Sequence, residues 1–145
     1  MILLRYAIVF IAVALGTALL VRALNTHADG VLGSSAQLMV PAMIAAALEG
    51  QQSARANRAR AATGVIWSFT WLATLVATVL NVAIAYLAGS IAPEFGKLAI
   101  APFGGQQFLI LLGLYAGGYL ICNRLFFGIG QSNQLSLMRS RGEIE

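Results

Sequence analysis

The chain has 145 residues, of which 59% are hydrophobic and only 10% charged, and its mean hydropathy is +0.82. A soluble domain is about 45–50% apolar and about 25% charged, so this composition points to lipid rather than water as the solvent. Nine Lys and Arg against five Asp and Glu give a net charge of +4. The aromatic residues lie inside apolar runs and not among the basic ones, which argues against nucleic acid as a partner.

Crossing a hydrocarbon core about 30 Å thick takes about 20 apolar residues at 1.5 Å per residue. The first such run, residues 6–24, contains one charge, Arg22, close enough to its end to reach the interface. It is read as a retained span rather than a cleaved secretory signal: Arg22 interrupts the expected cleavage region, and the positions before each plausible cut are not both small. Residues 25–33, with Asp29 and two glycines, form a short outside loop. It holds the single histidine, His27, and a lone His27–Asp29 pair has too few ligands for a metal site.

The second run, 34–52, is the weakest. Residues 38–48 are apolar, but Gln37, Pro41, Ser34 and Ser35 dilute the segment, and so short a run also fits a re-entrant or interfacial helix. Charge decides in favour of a span. If the segment crosses, Arg5, Arg55, Arg58, Arg60, Arg124, Arg139 and Arg141 share one side, with only Arg22 and Lys97 opposite. Lys and Arg collect on the cytoplasmic side, so that arrangement is the expected one. Pro41 inside the run is expected to free a carbonyl and bend the helix.

The third run, 65–88, carries no charge, and Trp67 and Trp71 at its cytoplasmic end are placed to anchor at the headgroups. Residues 89–105, with Pro93 and Pro102, read as a longer outside loop, and 52–64 as the cytoplasmic connection. The fourth run, 106–127, leads into a polar cytoplasmic tail over 131–145. The expected fold is therefore an all-α integral membrane protein of one domain, a bundle of four transmembrane helices with both ends inside, in the inner membrane.

Polar groups within spans need a reason, because hydrocarbon offers no hydrogen bonds. Thr70, Thr74, Thr78 and Asn81 follow at spacings of four, four and three and share one helix face. They are read either as a solute path or, preferably, as helix–helix contacts in which each Thr bonds its own backbone and Asn81 bonds a neighbour. No carboxylate lies deep in a span; Glu49, one turn from the cytoplasmic end of the second, is expected to pair with Arg55, with cation binding in a transport cavity the alternative. Arg55, Arg58 and Arg60 are assigned to topology and to anionic headgroups.

Small residues mark two candidate packing faces. Gly113 and Gly117 make a GxxxG with Gly118 adjacent, and Ala42, Ala46 and Gly50 make a similar stripe on the second span. The preferred reading packs these faces against each other within one chain; the alternative gives one of them to a partner. Cys122, the single cysteine, allows no internal disulfide and is read as a small buried hydrophobe, with lipidation the alternative. Gly104-Gly105 and Gly128-x-Gly130 follow no predicted strand, so phosphate binding is not supported, and no cofactor is expected.

The alanine-rich second span running into Glu49-Gly50-Gln51, the basic stretch through Arg58 and the Trp67 that opens the third span resemble an uncharacterised family of small bacterial four-helix inner-membrane proteins. Asn57 and Arg60 depart from that pattern, standing where Gly and Pro are expected. The resemblance implies a four-span layout and no activity. Three functions follow from the residues: a structural or accessory subunit packing against a membrane partner or itself, a subunit of a small oligomeric transporter or channel, and, last for want of converging catalytic groups, a membrane enzyme.

Overall fold

The computed structural model describes residues 2–25, 35–89 and 93–144, and those residues form an all-α structure with four long helices. They are α1 (Ile2–Asn25), α2 (Val40–Asn57), α3 (Thr63–Leu87) and, after a short helix α4 (Pro93–Gly96), α5 (Gln106–Ser140). Among them α1, α3 and α5 are long and apolar enough to cross a membrane. The 18-residue α2 is not, because its second half carries Glu49, Gln51, Gln52 and Arg55. His27 and Asp29 lie outside the described residues.

The long helices alternate in direction. Tyr6 of α1 meets Asn123 and Phe10 meets Tyr119, so α1 runs against α5. The Phe69–Phe127 and Thr74–Asn123 contacts run α3 against α5 in the same way. Met39, just before α2, meets Gly118 and Ser53 meets Gln131, so α2 runs with α5 and hence against α1. The parallel α2 and α5 form the most extensive helix pair in the bundle.

That pairing follows from small side chains. The buried residues of α2 are Pro41, Ala42, Ala45, Ala46, Glu49, Gly50 and Ala54, an i, i+3, i+4 stripe with almost no bulk. A Cβ built on Gly50 would stand 2.1 Å from the carbonyl oxygen of Phe127, and one on Gly130 would stand 2.1 Å from that of Ala47. A C–C bond adds about 1.5 Å, so each glycine Cα lies within about 3.6 Å of the facing oxygen, the range of a Cα–H···O contact. The two backbones therefore touch directly at two points.

Several expectations change here. The preferred mutual packing of the Ala42–Ala46–Gly50 stripe and the Gly113–Gly117 face does not occur: the stripe meets the 127–131 stretch, whereas among the described residues nothing stands within 4 Å of a Cβ built on Gly113 or Gly117. Only Gly118 is approached, by the flexible end of Met39. Pro41 does not bend a span; it stands in the first turn of α2, where a helix has no use for its missing N–H. The second helix begins at Val40 and runs past the expected end to Asn57, where Arg58 closes it at φ 50° in the left-handed region. The connection to α3 is thus only 58–62, shorter than the expected 52–64.

The polar tail is also helical. α5 runs unbroken to Ser140, because Gln131, Gln134 and Met138 continue the buried face set by Tyr119, Asn123 and Phe127 at three- and four-residue spacing. At the opposite end of the bundle, the 93–105 segment is no open loop. Phe95, Leu98 and Ala101 are buried, and Phe103 sits edge-on to Tyr86 with ring centroids 5.9 Å apart.

The close crossing gives a direct expectation. Gly50→Leu and Gly130→Leu force backbones apart and each lower stability by at least the about 1–3 kcal/mol of an overpacked core, read from the unfolding midpoint of the purified protein in micelles. Gly113→Leu, placed where nothing stands within 4 Å, leaves the midpoint close to that of the parent.

Candidate functional site

The polar groups of the bundle gather toward the end formed by the start of α1, the end of α2, the start of α3 and the C-terminal half of α5. Glu49 is buried on the inner face of α2, one residue before the glycine of the close crossing, and that crossing holds its carboxylate among neighbouring helices. Arg5, at the end of the first turn of α1, answers it with two parallel hydrogen bonds. Its Nε donates to Oε1 at 2.6 Å and its Nη2 to Oε2, the fork geometry in which guanidinium and carboxylate match. The expected partner, Arg55, is six residues along the same helix and so on another face; it is exposed.

One turn further along α2, Ser53 accepts a hydrogen bond from Gln131 Nε2 at 3.3 Å, while Gln131 Oε1 has no partner among the described residues. Deeper in the bundle, the Tyr6 hydroxyl donates to Asn123 Oδ1 at 2.7 Å, and Asn123 Nδ2 donates to Thr74 Oγ1 at 3.3 Å. This chain of side chains ties α1, α5 and α3 together. Rings pack around it: Tyr6 edge-on to Phe69 at 5.9 Å, Phe69 against Phe127 at 4.5 Å, and Phe10 edge-on to Tyr119 at 5.9 Å between centroids.

The threonine face of α3 divides. Thr70 and Thr78 donate to the carbonyls of Ile66 and Thr74, each at 2.8 Å, and so satisfy their hydroxyls within their own helix. Thr74 alone reaches another helix. Asn81, expected to bond a neighbour, is fully buried and has no hydrogen-bond partner among the described residues for either amide atom. The four residues share a face, but they do not form one connected track.

Two open clefts flank the ion pair. One, of about 600 Å³, lies between α1 and α2 and is bordered by Arg5, Val9, Leu48, Gln52 and Arg55. The other, of about 520 Å³, is bordered by Arg5, Glu49, Ser53, Asn57, Phe69 and Phe127. Arg58 and Arg60 stand exposed on the short turn beyond. Arg124 lies over the Trp67 ring, 5.3 Å from its centroid, so this tryptophan is held by a cation as well as by its place near the helix end. Among the described residues no group of three His, Cys, Asp or Glu side chains is placed to hold a metal ion.

Sequence reasoning missed Arg5 as the partner of Glu49, Asn123 as the link between three helices, and Gly130 as the point of backbone contact. The period of α5 held a usable signal: Tyr119, Asn123, Phe127 and Gln131 recur every four residues, one face continuing beyond the end of the apolar run. Comparison with known proteins finds no matching family, no matching curated protein and no matching solved structure.

The ion pair yields a double-mutant test. Arg5→Met strands a buried carboxylate and costs about 3 kcal/mol, the lower end for a broken buried pair because Arg5 keeps 36% side-chain exposure. Arg5→Met combined with Glu49→Met removes both charges and recovers most of that loss in the same unfolding assay. A double variant that loses the sum of what Arg5→Met and Glu49→Met lose singly shows that the two residues are not coupled.

Proposed function

We propose that the chain crosses the inner membrane four times with both ends in the cytoplasm, and that it is a non-enzymatic structural or accessory subunit that packs against another membrane protein. Three crossings are supported by the length and apolar character of α1, α3 and α5. The fourth, α2, is supported by helix direction and charge. With the helices alternating, Arg5, Arg55, Arg58, Arg60, Arg124, Arg139 and Arg141 fall at one end of the bundle, and Arg22 and Lys97 at the other.

One observation carries the accessory role: a small-residue face left open on α5. Gly113 and Gly117 have empty space where a Cβ would stand, and exposed Leu109, Ile110, Leu114 and Ile121 surround them. Lipid supplies no hydrophobic force between helices, so association depends on close backbone approach and dispersion, which such a groove favours. The stripe on α2 is already used inside the chain, and Thr70, Thr74 and Thr78 are engaged within the bundle.

The tagged chain, taken from its native membrane into lipid nanodiscs, is expected to carry a stoichiometric membrane partner identifiable by mass spectrometry. Gly113→Leu or Gly117→Leu lowers recovery of that partner by about tenfold, the effect of about 1.4 kcal/mol at an interface. Recovery of the bare chain, or undiminished partner in both variants, rejects the reading. A second reading, a subunit of an oligomeric transporter, is favoured by the two unpartnered amide atoms of buried Asn81. It requires that Asn81→Leu abolish solute flux in liposomes while assembly persists, and unchanged flux rejects it.

A further inference from the structure

We propose that the cleft between α1 and α2 is a binding site for the phosphate headgroup of an anionic phospholipid of the cytoplasmic leaflet. The proposal rests on the same membrane placement as the proposed function, but not on any partner protein. Its basis is a polarity gradient that two helices share. On α2 the cleft is lined in order by Leu48, Gln51, Gln52 and Arg55, one face passing from apolar through amide to cationic. Seven residues at 1.5 Å each make this gradient about 10 Å long, the scale of the boundary between acyl chains and headgroups.

On α1, which runs the opposite way, the lining passes from Val9 to Arg5. The Arg5–Glu49 contact sets the two helices in register, so the apolar ends coincide and so do the cationic ends. An acyl chain would lie along exposed Leu48 and half-buried Val9, with its phosphate at Arg55 and the amides of Gln51 and Gln52. The volume of about 600 Å³ is ample for a headgroup.

Charge complementarity selects the ligand. Arg5 is matched by Glu49, whereas exposed Arg55 makes no ion pair among the described residues, so the cleft keeps a net positive charge. A zwitterionic headgroup brings its own cation toward that charge; an anionic one brings only the phosphate. This separates Arg55 from Arg58 and Arg60, which the sequence alone treats as equals. Those two are exposed on the turn and line neither cleft.

The test is native mass spectrometry of the full chain in detergent, titrated with phosphatidylglycerol or phosphatidylcholine. Phosphatidylglycerol adducts should exceed phosphatidylcholine adducts by about fivefold, the contribution of one basic residue near an anionic surface. Arg55→Gln should erase that preference, while Arg58→Gln and Arg60→Gln, which remove the same charge outside the cleft, should preserve it. Arg55 lies outside the Arg5–Glu49 pair, and an unchanged unfolding midpoint confirms that its variant is folded. Equal adducts for the two lipids overturn the proposal, as does equal loss in all three variants. Displacement of the lipid by inorganic phosphate alone overturns it in favour of a soluble anion. Retention of the chain in carbonate-washed membranes, measured in parallel, separates failure of this site from failure of the membrane placement.

Discussion

Where α2 passes α5 there is no space for a side chain on either helix, and the rest of the bundle is arranged around that contact. Gly50 lies on the carbonyl of Phe127 and Gly130 on that of Ala47, so the two helices meet backbone to backbone. Neighbours in sequence inherit the consequence. Glu49 is drawn into the interior and must be answered by a cation, Ser53 comes within reach of Gln131, and Phe127 turns toward Phe69. Bulk is supplied by the other helices, with Tyr6, Phe10 and Phe69 filling the space that a glycine- and alanine-lined helix leaves.

The polar side chains of the interior then fall into two kinds. Arg5 with Glu49, and Tyr6 with Asn123 and Thr74, join separate helices at defined geometry. Such bonds add modest net stability, but the cost of leaving any member unpaired penalises alternative packings, so they fix one arrangement among several of similar dispersion energy. The second kind, Thr70 and Thr78, serve only their own helix. Asn81 belongs to neither: it is buried, and its amide atoms have no partner among the described residues.

How far the sequence spoke for this structure depended on how local each feature was. The apolar runs that became α1, α3 and α5 were legible because hydropathy and the helical period are written within a single segment. Arg5 and Glu49 are 44 positions apart, and nothing local links them. The Gly113–Gly117 spacing satisfied a sequence pattern, yet the crossing used Gly130, because the choice among glycines is made by where Phe127 and Gln131 point on a shared face. The polarity of Gln131 and Gln134 suggests a solvated tail, and only the face continued from Asn123 shows them turning inward. Pro41 is similar: its chemistry is clear, but whether it bends a helix depends on whether it falls in the first turn or later.

α5 is 35 residues long, about 52 Å at 1.5 Å per residue, while a hydrocarbon core is about 30 Å thick. No proline interrupts it, and its parallel partner α2 braces it on both sides of the crossing. A bilayer of different thickness is accommodated by changing helix tilt. Rotating an unhinged rod of this length about its midpoint by about 10° moves each end by about 4.5 Å. On the proposed membrane placement, thinning or thickening of the surrounding lipid would carry Arg139 and Arg141 sideways as α5 tilts.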